Sequence, residues 1–286
     1  MKSLKKALAF FLCAVTVALC FAGCSKSEEA AEITDETMLI AYTEEKAPFI
    51  YTENGKLTGF DVEVFKKIFD NIKNDYKNYQ FVKVDKDYKI GEDAAYTDAE
   101  GNEYIAYVMI GGVEKNTGSF NEDYTFSEDV IDNRIIAVGY SGNGVNQYTF
   151  ANIDGVKAGV VSDVAKTALD KNAAVKGNMK SVKDYSDAAS ALADLKAGKI
   201  DVLIIDEFNF NTVENKDEFY VFNGELDTIS YVYSFKKWDW YVDSINEAIY
   251  ELQSDQYNDA DEFTPIVEKY FGYDASNFDY QPSQEK

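Results

Sequence analysis

The chain has 286 residues, with 28 Lys and Arg against 51 Asp and Glu, a net charge of −23 at pH 7 and no histidine. A surface this acidic excludes nucleic acid as a partner, because phosphate backbones need clustered cations, and the lack of histidine removes His-based triads, proton shuttles and most transition-metal sites. The only cysteines are Cys13, Cys20 and Cys24, so the 262 residues after Cys24 contain no disulfide and must be held together by a core.

In chain order, the first element is an export signal: Lys2, Lys5 and Lys6 precede an apolar run from Ala7 to Phe21, followed by small residues before Cys24. The run is shorter than the roughly 20 residues of a spanning helix, so a permanent transmembrane segment is the weaker reading. The letters "FAGC" resemble the lipobox of bacterial lipoproteins, in which the Cys becomes the lipidated first residue; Phe21 departs from the smaller aliphatic usual there. Residues 1–24 hold three Lys and no acid, which leaves −26 on the rest. Attachment to a membrane would therefore rest on acyl chains at Cys24 and not on attraction to anionic headgroups. Residues 25–37, acidic and without aromatics, read as a flexible tether.

Globular patterning begins at Met38. "MLIAYT" is a strand, Asn54-Gly55 between apolar runs predicts a hairpin, and Val64, Phe65, Ile68, Phe69 and Ile72 recur at helical spacing. Asp61 stands where a residue would cap that helix. "YQFVKV" is a strand, and a hairpin around Glu100-Gly101-Asn102 leads into a buried strand ending at Gly111-Gly112. A second series follows: "RIIAVG" and "KAGVV" as strands, "SDVAKTALDKN" as a helix and "MKSVKDY" as a strand. A helix then opens at Ser186 and stops at Gly198, "IDVLIID" is a buried parallel strand, "ISYVYSF" a strand, and "YVDSINEAIYELQ" and "FTPIVEKYFG" are terminal helices. Such alternation predicts an α/β protein with mostly parallel sheets.

Several stretches, in this order, resemble the extracellular solute-binding proteins of the amino-acid type, the receptors of ABC importers: "APFIYTENGKLTGFDVEVFKKI", "YTFSEDV", "AGVVSDVAKTALDK", "DYSDAASALADLKAGKIDVLIID" and "INEAIYEL" with "VEKYFG". The resemblance implies a two-lobed α/β fold of the type II periplasmic-binding-protein kind, with two hinge strands near "RIIAVG" and "ISYVYSF". Residues 38–130 with 234–286 would form the first lobe and 131–233 the second. It also implies a small-molecule ligand, amino acid or amine-like, an ABC permease as partner, a monomer, no enzymatic activity and no cofactor. A solute-sensing protein without transport is the alternative. A dehydratase on the same fold, with Glu44 and Asp206 as acid and base, is a weaker one.

The ligand residues implied are Phe49 and Tyr51 as covering aromatics, Gly111, Gly112 and Asn116 on the first lobe, and Asp163 and Asp206 on the second. The family's carboxylate-binding Arg is missing: the matching positions fall on Ser119 and Phe120, the only Arg is Arg134 in a hinge strand, and Lys115 is a possible substitute or a solvated charge. Asp163 reads either as a helix cap or as a residue of the cleft. A ligand carboxylate about 5 Å from an uncompensated Asp163 would cost on the order of 3 kcal/mol at an effective dielectric of about 20. The expectation is a ligand held by a cationic nitrogen on Asp206 and aromatic faces, with no free α-carboxylate as its main handle. A calcium loop at "DAEGNE" is weighed against a simple turn, and the turn is expected.

Overall fold

The computed structural model describes residues 32–72, 76–115, 123–143, 150, 153–237, 239–254 and 261–272. The elements run β1 (Thr37–Tyr42), β2 (Tyr51–Glu53), β3 (Lys56–Thr58), α1 (Phe60–Asn71), β4 (Asn78–Lys83), β5 (Ala94–Thr97), β6 (Glu103–Ile105), β7 (Val108–Glu114), β8 (Tyr124–Phe126) and β9 (Ile131–Tyr140). They continue with β10 (Lys157–Val161), α2 (Asp163–Lys171), α3 (Ala173–Asn178), β11 (Ser181–Tyr185), α4 (Ala188–Lys196), β12 (Val202–Asp206), α5 (Glu207–Asn211), β13 (Phe219–Val221), β14 (Asp227–Lys236), α6 (Tyr241–Ser254) and α7 (Thr264–Phe271). No helix among the described residues is long and apolar enough to cross a membrane.

One sheet carries the fold, in the order β11-β10-β12-β9-β14-β7-β1-β4, with β13 beside β9 and β8 beside β14. One flank is the parallel set β7-β1-β4 and the other the parallel set β11-β10-β12. Two ten-residue strands join them. β9 and β14 pair antiparallel over Ile131–Ile135 and Asp227–Tyr231; β9 then pairs with β12, and β14 with β7.

Side-chain alternation explains why β12 is continuously apolar from Val202 to Ile205. Val202 and Ile204 of β12 enter a core with Ala165, Ala168 and Leu169 of α2, while Leu203 and Ile205 enter another with Ala191, Leu192 and Leu195 of α4. Every second residue points to the opposite face, so a strand covered by helices on both sides has no position left for a polar group. In β1, Met38, Ile40 and Tyr42 face α1, α6 and α7, whereas Leu39 and Ala41 lie under a small core that the β5–β6 hairpin covers with Tyr96 and Tyr104.

The turns follow local chemistry. Asn54 and Gly55 both take positive φ, 51° and 76°, as a two-residue β2–β3 hairpin requires. Gly198, at φ 68°, ends α4. That helix starts one residue later than expected: Asp187, not Ser186, is the cap and accepts from Ser190 N at 2.8 Å, while Ser186 donates its hydroxyl to Asp187. At "DAEGNE" the Asp98 carboxylate accepts from Asn102 N and Asn102 Nδ2, both at 2.7 Å, and is used up in closing the turn.

Candidate functional site

β12 on one flank and β7 on the other lie directly against the shared strands β9 and β14, and the loop after β1 packs on β14 through Phe49 and Tyr231. The loop after β1 is tight: Phe49 N and Ile50 N both donate to Lys46 O, at 2.9 and 3.1 Å, around a cis Ala47–Pro48 bond. Gly59 caps α1 at φ 130°, with no room for a side chain. The first helical amides, Phe60 N and Asp61 N, donate to Pro48 O at 2.8 Å and Phe49 O at 2.9 Å. The unpaired donors at the start of a helix, which in other settings bind anions, are here consumed by the chain itself. Phe60 is fully buried against Phe49, Phe263, Tyr270 and Phe271.

Asp61 does not cap α1. It sits inside the first turn, and one buried carboxylate oxygen accepts from both Gly111 N and Gly112 N at 2.8 Å. The two glycines take φ of 112° and 66°, a backbone shape that aims successive N–H groups at one anion. Burial pushes the Asp61 carboxyl up to about 6, against the opposing pull of the Gly112 and Gly111 amides and the Lys46 charge. Both glycine amides are therefore engaged from within the protein.

Phe49 is 2% exposed, its ring set among Phe60, Tyr231, Phe208 and Phe271. Tyr51 is half-buried in β2, opposite Thr58. Phe208, on the short helix that follows β12, reaches across to Phe271 of α7 at 4.0 Å between centroids and lies parallel to Tyr231 at 6.0 Å. Phe208 was not legible as a site residue, since five residues of helix leave no periodicity to read.

On the second flank, Ser162 is the cap of α2, accepting from Ala165 N at 3.3 Å, and Asp163 is the first helical residue, exposed to solvent. The capping role weighed for Asp163 thus belongs to its neighbour. Ser162 has φ 77° and ψ 150°, a region open in practice to glycine alone and costing other residues about 1–3 kcal/mol. Ser162→Gly should relieve that strain while losing only a few tenths of a kcal/mol of capping. A thermal melt should rise by about 2–4 °C; an unchanged or lower midpoint would show the turn to be relaxed.

Asp206, at the end of β12, is 2% exposed and caps α5. Its carboxylate accepts from Asn133 Nδ2 at 3.2 Å, Asn209 N at 3.1 Å and Asn209 Nδ2 at 2.7 Å. Asn133 of β9 also accepts from Phe208 N at 3.1 Å and hydrogen-bonds the Tyr231 hydroxyl. Burial, and next the Glu114 carboxylate, push the Tyr231 phenol well above its usual value, so it stays neutral. Arg134 makes a two-pronged pair with Glu207 at 2.6 and 2.9 Å, and Lys115 pairs with Asp129 at 2.6 Å. Glu44 pairs with exposed Lys86, which holds its carboxyl low and ionised. Asn116, with Ser119 and Phe120, and Cys24 lie outside the described residues.

The sequence reading missed Lys46. Its ammonium donates to Gly112 O at 3.0 Å and Glu114 Oε1 at 3.4 Å, over the rings of Phe49 and Tyr231, with centroids at 5.6 and 5.4 Å. The signal available was its place four residues after β1, at the mouth of a parallel sheet, where ligands sit in open α/β folds.

Two parallel flanks joined by two long shared strands are the type II periplasmic-binding-protein-like fold of extracellular amino-acid binders. The same fold appears in the L-cystine solute receptor of Neisseria gonorrhoeae in its unliganded open conformation: TM-score 0.62, 20% identity, 84% of this chain and 94% of that one. A polar amino acid ABC uptake transporter substrate binding protein from Streptococcus thermophilus shares it at TM-score 0.61 and 22% identity, over 84% of this chain and 88% of that one. In sequence, the chain is similar to the probable amino-acid-binding protein YxeM of Bacillus subtilis (strain 168), 25% identical over 185 residues. That match spans 63% of this chain and 63% of the relative's length. No family model matches.

Proposed function

We propose that this chain is the extracytoplasmic receptor of an ABC importer, a binding protein and not an enzyme, which captures a small solute of the amino-acid class. Residues 38–130 with 234–286 form one lobe and 131–233 the other, and they close by bending β9 and β14. The observation that carries the reading is the meeting of both flanks on the shared strands: Asp206 of β12 bonds Asn133 of β9, while Phe49 after β1 and Glu114 of β7 lie against Tyr231 of β14. The similarity to YxeM supports it independently. The ligand's amino group is assigned to Asp206, whose buried carboxylate suits a charge-assisted hydrogen bond. Asp163 stands at the exposed edge of the cleft, Phe49 and Tyr51 on the first-lobe side, and Gly111 and Gly112 along its floor. The mature chain is a monomer tethered through acyl groups on Cys24.

Native mass spectrometry of the protein purified from membranes tests the receptor and the anchor together. It should show a diacylated N-terminus at Cys24 and release a co-purified small molecule. Calorimetric titration with the common amino acids should then find one that binds, and Asp206→Asn should weaken it tenfold or more. Full affinity in Asp206→Asn would remove this residue from the site, and chemical turnover of the bound solute would replace the receptor reading with an enzymatic one.

A further inference from the structure

The aromatic faces expected to receive a ligand cation already have one. Lys46 places its ammonium against both Phe49 and Tyr231 and donates to the Gly112 carbonyl, the arrangement of rings and oxygen that would otherwise hold a cationic nitrogen. Its backbone is fixed by Phe49 N and Ile50 N on its carbonyl, and by its own N–H on Ile50 O at 2.7 Å. The charge is therefore held in place before any ligand arrives.

Three more observations give this cation a direction. An ammonium has three donors; that of Lys46 donates to Gly112 O and Glu114, and the side chain is still 39% exposed. The Lys46–Glu114 contact, at 3.4 Å, is also looser than the pairs made by the neighbouring cations, Arg134–Glu207 and Lys115–Asp129 at 2.6 Å and Lys86–Glu44 at 2.8 Å. Lys46 and Asp206 also bracket one side chain, since Lys46 lies over the Tyr231 ring while the Tyr231 hydroxyl bonds Asn133, which bonds Asp206. Positive and negative groups on the two sides of Tyr231 match the two charges of a zwitterion.

We propose that Lys46 is the specificity-determining anchor for a ligand carboxylate, so that the preferred solute is a neutral zwitterionic amino acid and not a simple amine. This rests on the receptor reading above and reverses the expectation, drawn from the missing Arg, that a free α-carboxylate is not the ligand's main handle. Glu114 already takes part of the Lys46 charge, so the ammonium can serve one ligand carboxylate and a second acid on the ligand meets Glu114 with no cation to offset it. Acidic amino acids should bind at least tenfold more weakly than neutral ones. The cation needs no burial penalty of its own, because Gly112 O and the two rings already solvate it.

The test compares each amino acid that binds the wild type with its own primary α-carboxamide, on the wild type, Lys46→Met and Lys46→Arg, by calorimetry. The acid should bind the wild type at least thirtyfold more tightly than the amide, Lys46→Met should lose that preference while binding the amide as the wild type does, and Lys46→Arg should keep most of it. Equal loss of acid and amide in Lys46→Met would show a purely structural role and overturn the proposal. So would a wild type that binds the amide as well as the acid, a comparison that stands even if Lys46→Met fails to fold. If no amino acid binds the wild type, the receptor reading falls and this inference with it; if amino acids bind wild type and Lys46→Met alike, only this inference falls.

Discussion

Gly59→Ala should lower the melting temperature by roughly 10 °C, because a β-carbon at this position would stand 2.2 Å from Phe49 O and 2.6 Å from Phe49 C. Those are backbone atoms of the loop that α1 is built on, and they cannot rotate away. The φ of 130° adds conformational strain of about 1–3 kcal/mol for any residue with a side chain, and the forced separation adds a further 1–3 kcal/mol or so. Relief could come only from pulling α1 off Pro48 O and Phe49 O, which would strip two hydrogen bonds from the helix start. Gly55→Ala is the control: φ is also positive, at 76°, but nothing lies within 4 Å, so only about 1 kcal/mol should be lost. Equal melting shifts for the two variants would mean that the close approach of α1 to the Phe49 carbonyl does not exist.

The second large effect belongs to Asp61. Removing its carboxylate in Asp61→Ala leaves two buried amides without an acceptor, at about 1–3 kcal/mol, plus the lost packing. Asp61→Asn keeps an acceptor but cannot titrate, and this separates geometry from charge. The carboxyl is raised in the folded state to about 6 from an ordinary 3.8. Between those two values the native protein holds a proton that the unfolded chain has lost. The folded state is therefore favoured at the acid end of this window and loses that advantage as pH rises through about 6. Measured by urea unfolding, wild type should gain about 1 kcal/mol relative to Asp61→Asn on going from pH 7 to pH 5. Parallel profiles for the two proteins would show that the carboxyl titrates normally and is not desolvated. The direction is opposite to that of a salt-bridged surface acid such as Glu44, whose ionised form Lys86 stabilises.

The Asp61 result bears on the site as well as on stability. Gly111 and Gly112 lie within β7, which runs on to Glu114 instead of ending at the glycine pair as the sequence suggested, and the Gly112 carbonyl is where Lys46 is bound. A carboxylate that organises the amide side of this turn positions the Lys46 ammonium on the other side. Asp61 is therefore a positioning residue in the proposed receptor: its replacement by Asn should disturb ligand affinity less than Lys46→Met does.

The sequence by itself determined the order and identity of the main elements. "KAGVV" coincides with β10, Asn54-Gly55 is the hairpin turn, Gly198 ends α4, and the 3.6-residue spacing of Val64, Phe65 and Ile68 is the buried stripe of α1. These signals are local: side-chain periodicity and backbone permissiveness act within a few residues, so they can be read from neighbours in the chain. The short α3, α5, β8 and β13 carry too few residues for either signal. Capping was legible as a region and not as a residue, since Ser162-Asp163 and Ser186-Asp187 each offer two competent oxygens and the entry angle of the chain selects between them.

Only the tertiary structure decided which charges meet. Asp61 finds the Gly111 and Gly112 amides 50 and 51 residues away, Lys46 finds Gly112 O at a separation of 66, and Asn133 finds Asp206 at 73. No local pattern records such pairings, because a lone Asp or Lys beside a turn looks the same whether it caps, pairs or binds. The missing Arg left Lys115 as the substitute carboxylate anchor weighed in the sequence, while folding paired Lys115 with Asp129 and brought a different lysine, Lys46, from the loop after β1 onto β7 and over an aromatic ring of β14. Hydrogen bonds and ion pairs depend on distances of about 3 Å set by the whole packed core, and this is why the frame could be read from the sequence but the polarity of the site required the fold.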